Sequence, residues 1–148
     1  MTNSVAERLE QVSAEFADCE PRERLELLLE YAEGLPPLPP EYQAQRDAGV
    51  NRVHECQTPV FLWVDVVEGR VRIVADVAPE APTVKGFVGV LVETFNGAPA
   101  EEVLAVDPNL VQRFGLLEAL GMMRLRGLSA IASVIRRRVQ KAVEATSN

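Results

Sequence analysis

Between Val60 and Val77 the chain reads "VFLWVDVVEGRVRIVADV", the stretch in which its apolar residues leave helical spacing. Val60–Val67 is rich in β-branched and aromatic side chains, and the "EGR" that follows reads as a tight turn into "VRIVADV". There Val71, Ile73 and Ala75 alternate with Arg72 and Val74, as in a strand with one buried face. A short strand around 50–53 is expected to precede the pair, which makes a sheet of about three antiparallel strands. Helical patterns flank this segment on both sides, so the class is α+β, with the sheet packed against N-terminal and C-terminal helices.

The flanking patterns are specific. In "SVAERLEQVSAEF" Val5, Leu9, Val12 and Phe16 fall at helical spacing, with Ser4 as cap and Glu7 three residues on. A second helix follows, with Pro21 in its first turn, Leu25, Leu28, Leu29 and Tyr31–Ala32 as apolar positions, and Gly34 as its stop. Four prolines between Pro36 and Pro40 then impose an extended connector, which routes the chain as a stiff spacer. After the hairpin, "APEAPTVKGFVGVLVETFNG" places Val84, Phe87, Val88, Leu91, Val92 and Phe95 on one broad face, closed by Asn96-Gly97. "APAEEVLAV" is a short helix, amphipathic turns come after Pro108, and a long last helix turns Leu128, Ile131, Ala132, Ile135, Val139 and Val143 inward. No internal repeat is present, and 148 residues suit one domain over 1–148 with a single core.

Charge and composition exclude several classes. A net charge of −7 argues against general nucleic-acid binding and against docking on anionic membranes. No apolar run reaches the ~18 residues of a membrane span. The start, "MTNSVAERLEQ", has neither a basic leader nor an apolar core, so a cytoplasmic location is the expectation. The two cysteines, Cys19 and Cys56, lie far apart in dissimilar contexts and are expected as free thiols. With one histidine beside them, the chain falls short of the roughly four ligands of a zinc site, and no metal is expected.

Cys56 carries the chemistry worth asking about. In "VHECQTPVFLW" it sits before the apolar run, between Glu55 and Gln57, where a bend is expected. A thiol beside a rigid strand has access and control of its ionisation; a half-exposed structural cysteine fits the same stretch. In an extended chain His54 and Cys56 point to one side, roughly 6–7 Å apart at Cα, close enough for His54 to move a proton or to be a bystander. A hydrolase or transferase with Cys56 as nucleophile and His54 as base lacks an aspartate or asparagine at a telling spacing. An interaction module without thiol chemistry is the other alternative. Arg136, Arg137, Arg138 and Lys141 have the look of an electrostatic patch, but read more simply as cations offsetting a helix C-terminal dipole.

Taken together these segments resemble the SufE family, the sulfur acceptors that serve SufS-type cysteine desulfurases in iron–sulfur cluster assembly. "ERLELLLEYAEGLPPL" resembles the family's second helix and its stop, and "NRVHECQTPVFLW" its active segment. "APEAPTVKGFVGVLVETFNG" resembles its acidic-then-V-K-G helix, and "MMRLRGL" an S-R-x-N-G stretch ahead of the last helix. The resemblance covers nearly the whole chain. It implies that Cys56 is the sulfur-accepting cysteine, with Thr58 at a serine position and Val60-Phe61 at a Val-Trp pair. Val84, Lys85 and Gly86 match V-K-G, Glu80 an upstream aspartate, and Arg124 and Gly127 the later arginine and glycine. Glu55 departs from the usual glycine and sets a negative charge beside the thiol; Pro59, Met122 and Met123 depart as well.

The resemblance further implies a persulfide carrier acting with a desulfurase rather than a stand-alone enzyme. Pyridoxal phosphate is expected only in that partner, with iron–sulfur scaffold proteins downstream and no cofactor here. Monomer and homodimer are both compatible with it. Lys85 and Arg124 gain a supporting role by motif context, against simple solvation or surface pairing. Cys19 has no counterpart. A carrier should shelter its persulfide, so the Cys56 turn is expected to fold toward an apolar surface and to swing out to a partner.

Overall fold

The computed structural model describes residues 4–107 and 109–146. Pro108, read as the break before the amphipathic turns, lies outside them. Helix α1 (Val5–Ala17) starts where Ser4 Oγ accepts the Glu7 N–H at 3.2 Å, and it buries Val5, Leu9, Val12 and Phe16. Helix α2 (Pro21–Gly34) begins with Pro21, whose missing N–H costs nothing in a first turn. Between them Arg24 donates from Nε to the Phe16 carbonyl (3.0 Å) and from a terminal nitrogen to the Gly115 carbonyl (2.9 Å), tying the α1 end to a distant loop.

Helix α2 presents a narrower face than its leucines suggest. Leu28 and Ala32 are buried, whereas Leu29, expected inward, is exposed. The reason lies in its neighbour, α4 (Pro82–Phe95), whose Gly86 and Gly89 face the α2 backbone. A Cβ on Gly86 would stand 2.1 Å from the Leu28 carbonyl oxygen, and one on Gly89 would stand 2.5 Å from that of Tyr31. The two backbones lie so close that only a thin stripe of α2 fits between them. Helix α4 is apolar nearly all round, as suits a central helix covered on every side. Its one buried hydroxyl, Thr94, donates back to the Val90 carbonyl at 2.8 Å.

The hairpin forms as its pattern dictates. Strands β1 (Val60–Val67) and β2 (Arg70–Val77) pair antiparallel over their full length, from Val60 opposite Val77 to Val67 opposite Arg70. Glu68 and Gly69 both take positive φ (53° and 78°), the two-residue turn that matches strand twist. Val60, Leu62 and Val66 share the buried face with Val71, Ile73, Ala75 and Val77. The expected third strand is reduced to a single bridge, Arg52 to Phe61. Gly49 and Asn51 take left-handed φ (79° and 65°), which breaks the extended run on its N-terminal side.

The proline connector is extended through Pro39, and then Pro40 opens an unexpected helix, α3 (Pro40–Asp47), with no buried residue. It rests on the outer sheet face. Tyr42 meets Trp63 at 5.1 Å between ring centroids, the Trp63 indole donates to the Gln45 side chain at 2.9 Å, and Arg46 pairs with Asp76 at 3.3 Å.

Beyond α4, Gly97 (φ +82°) turns the chain back along β2, where Val71 exchanges hydrogen bonds with Gly97 and Ala98. Three short helices follow: α5 (Ala100–Leu104), α6 (Leu110–Arg113) and α7 (Leu116–Leu120). The last helix, α8 (Met122–Thr146), buries Leu128, Ile131, Ala132, Ile135 and Val139, with Val143 half-buried. The "MMRLRGL" stretch, expected ahead of this helix, forms its first turns.

Candidate functional site

Cys56 sits in the loop 54–59, between Val53 and Val60, which are both fully buried. At its base the Val53 N–H donates to the Val60 carbonyl at 2.8 Å, and the Cys56 N–H reaches back to the Val53 carbonyl at 3.4 Å. That turn carries the thiol inward: Cys56 is 7% exposed and belongs to the hydrophobic core cluster. On its other side it lines an open groove of about 870 Å³. The walls are Glu55–Thr58 from the loop, Glu80–Val84 at the entry to α4, and Met123, Arg124 and Gly127 from α8. The thiol-bearing residue therefore lies between the core and an open cleft.

The supporting residues divide. Arg124 is exposed and lines the same groove as Cys56. Lys85 is half-buried one turn into α4 and is not among the groove-lining residues. Beside it, the glycine of the V-K-G motif has a packing role, the close α2–α4 approach. His54 departs from the expectation. The chain turns between Val53 and Cys56 instead of extending, so His54 lines a separate groove against the C-terminal half of α8 while Cys56 lines the first. The extended-chain spacing does not apply, and a shared side for the two is corrected accordingly.

Glu55 lies between the grooves and borders both. Its carboxylate pairs with Arg137 of α8, and that hydrogen bond, followed by a bond to its own backbone and by the fields of Arg137 and Arg138, holds its pKa below the usual glutamate value of 4.5. The negative charge next to Cys56 is thus answered by a cation across the groove.

The arginines of α8 are not dipole compensation, as their spacing suggested. The helix runs on to Thr146, so its last turn has no basic residue. Arg136 instead donates to the Leu104 carbonyl at 3.2 Å, Arg137 pairs with Glu55, and Arg138 donates to the Leu62 carbonyl. Burial pushes the Arg138 guanidinium down from its ordinary value, with Arg137 adding in the same direction. These three residues cross-link α8 to α5, to the cysteine loop and to β1.

Sequence reasoning missed the groove rim. Met123 is 82% exposed at the groove wall, and Met122 beside it is 55% exposed. Adjacent methionines at the start of a helix that otherwise buries its apolar residues were the available signal.

Residues 10–139 match the model of the SufE Fe–S metabolism associated domain. The chain belongs to the SufE family. Over 135 residues, 90% of this chain and 92% of the relative, it is 37% identical to an uncharacterized SufE-like protein of Mycobacterium tuberculosis. It is 35% identical over 95 residues, 62% of this chain and 35% of the relative, to a cysteine desulfuration protein SufE of Plasmodium vivax. The solution structure of a hypothetical protein from Thermus thermophilus superposes with a TM-score of 0.78 at 41% identity, over 93% of this chain and 96% of that one. The mixed α and β fold with its short antiparallel sheet is thus shared with a solved structure. Family membership ties the chain to Fe–S metabolism and is consistent with a sulfur-acceptor role.

Free thiols and absent clusters complete the description. Cys19 and Cys56 are both free. Among the described residues no group of three or more His, Cys, Asp or Glu could hold a metal ion, and no helix is long and apolar enough to cross a membrane. Cys19 is away from the groove, donating to the Glu15 carbonyl at 3.2 Å. Loss of hydration and nearby carboxylates, Glu23 foremost, raise its pKa above 9.0, which opposes the thiolate.

Proposed function

We propose that the chain is a single SufE-like domain over 1–148 that accepts sulfur on Cys56 from a SufS-type cysteine desulfurase. It then carries that sulfur as a persulfide to iron–sulfur scaffold proteins in the cytoplasm. In the transfer, the Cys56 thiolate attacks the outer sulfur of the donor's persulfide. The donor's S–S bond breaks, its thiolate leaves and takes up a proton, and a new S–S bond forms on Cys56. One sulfur–sulfur bond is exchanged for another with no net oxidation. The pyridoxal phosphate that frees sulfur from cysteine belongs to the desulfurase in this reading.

One observation carries the proposal: in a chain of this family, the family-matched cysteine sits in a loop between an apolar core and an open groove. The inward position shelters a persulfide from reductants, and the groove gives a donor its approach. Arg124, on the groove wall, is the supporting residue this reading retains. Lys85 contributes at most at longer range, and His54 has no direct contact with the reaction. The hydrolase alternative loses its base for the same reason.

Mass spectrometry after incubation with a purified SufS-type desulfurase, cysteine and pyridoxal phosphate tests the assignment. One added sulfur on the Cys56 peptide, with faster desulfurase turnover, is the expected result. An unmodified Cys56 alongside a desulfurase that demonstrably forms its own persulfide would leave only an interaction module.

A further inference from the structure

The second groove, on the far side of Glu55 from Cys56, has a charge opposite to that of the whole protein. It encloses about 530 Å³ between the chain at 52–55 and the C-terminal half of α8. Arg52, Arg137, Arg138 and Lys141 line it against two carboxylates, Glu55 and Glu144, with His54 at the edge. The chain carries −7 overall, so this is a local reversal of sign.

Two details say what such a groove takes. First, it already holds a carboxylate: Glu55 enters it from the loop and pairs with Arg137, which shows that a guanidinium here is set to receive one. Secondly, Arg52 and Lys141 form no ion pair among the described residues, leaving two cations without carboxylates. Arg138, half-buried and fixed to the Leu62 carbonyl, contributes a charge that cannot swing away. Cations held on a helix and a loop base, facing one concavity, are arranged for several carboxylates on one segment rather than for a lone ion.

We propose that this groove docks an acidic segment of the sulfur-donating protein, which places the donor beside the Cys56 loop while leaving the Cys56 groove free for the incoming sulfur. The inference deepens the carrier reading and rests on it for the identity of the partner. Glu55 borders both grooves, so a partner carboxylate that displaces it from Arg137 also loosens the loop that carries the thiol. Docking and uncovering then share one ion pair. A nucleic acid would offer the same negative charge, but the −7 of the whole chain repels a long polyanion.

The test uses the full chain and a purified SufS-type desulfurase. Binding is measured at low and high salt, and sulfur on Cys56 by mass spectrometry, for the wild type, Arg52→Glu/Lys141→Glu and a control, Arg22→Glu, exposed on α2 and lining neither groove. Thermal unfolding and the Cys56 alkylation rate of each free protein report the fold and the loop. The double variant should bind about tenfold or more weakly at low salt, with the gap shrinking as salt rises, while Arg22→Glu stays close to wild type. Equal affinity and equal sulfur transfer in the double variant would overturn the docking surface and leave the carrier standing. Salt-dependent binding through these residues with no sulfur on Cys56 would keep the surface and overturn the carrier. An oligonucleotide that binds the wild type as tightly as the desulfurase, and loses affinity in the double variant, would reassign the groove to nucleic acid.

Discussion

The α2–α4 interface and the Cys56 loop come from two motifs of comparable length, yet they are held in opposite ways. At the interface two backbones touch through Gly86 and Gly89, and Leu28 beside them is fully buried. The loop is held by one backbone bond at its base, one longer bond inside it, one from the Ala78 N–H to the Pro59 carbonyl at its far end (3.1 Å), and one ion pair between exposed side chains. Close packing tolerates almost no change, whereas exposed ion pairs contribute at most about 1 kcal/mol. The fold thus puts its rigidity under the site and leaves the reactive segment weakly fastened. A sulfur carrier needs that division, because its thiol has to be covered at one stage and reached at another.

The sharpest break between the two regions comes from Cys56→Ser. Sulfur acceptance should be lost entirely, because a hydroxyl ionises far too weakly to attack a persulfide. Binding to the desulfurase should persist. The buried position predicts a further effect that a loop reading alone would not: a hydroxyl on the core side costs about 1–3 kcal/mol unless it finds a partner. Cys19→Ser should leave transfer unchanged. Persulfide mass spectra, binding and urea unfolding of both variants check this. Retained transfer in Cys56→Ser would remove the assignment.

Two glycines sharpen the comparison next, one at the interface and one on the α8 wall of the groove that Cys56 lines. Gly86→Ala forces a Cβ against a backbone carbonyl, which no side-chain rotation relieves. It should destabilise by about 3 kcal/mol or more and lower Tm by roughly 10 °C. Gly127, on the groove wall in α8, would meet nothing within 4 Å. Gly127→Ala should therefore stabilise the helix, by up to about 1 kcal/mol. Calorimetry on both variants decides. Equal destabilisation would mean that the groove wall is packed as tightly as the interface.

The same contrast explains what the sequence disclosed. The hairpin and α1 were legible because each buries one periodic face, and periodicity records burial; α4 kept helical spacing although it is covered on every side. Helix α3 was not, since "PEYQAQRD" buries nothing and is held by Tyr42, Gln45 and Arg46 on the sheet. Leu29 looked like core, but the glycines that narrow the α2 face lie far along the chain on another helix. At the candidate site, the motifs named Cys56 and Arg124, and both line one groove. His54 was misplaced, because a hydrogen-bonded turn reverses the alternation of an extended chain. The partners of Arg136, Arg137 and Arg138 are tertiary, and spacing along one helix cannot name them.

The smallest expected effect tests the fastening of the loop itself. Removing the Glu55 charge in Glu55→Gln leaves Arg137 without its partner and frees the loop to open more often. An exposed ion pair worth ~0.2–1 kcal/mol corresponds to a rise in Cys56 alkylation of about 1.4- to fivefold, with Tm almost unchanged. The pH dependence follows from the lowered pKa of Glu55. A depressed carboxylate contributes stability that is present above its unfolded value and is lost as pH falls through its folded value. The difference in urea midpoint between wild type and Glu55→Gln should therefore be constant near neutrality and close as pH drops below the usual 4.5. High salt should shrink it at neutral pH as well, because both partners are exposed to solvent. If alkylation of Cys56 did not change in Glu55→Gln or in Arg137→Ala, the ion pair would be decoration, and the cover over the thiol would have to come from core contacts of Cys56 alone.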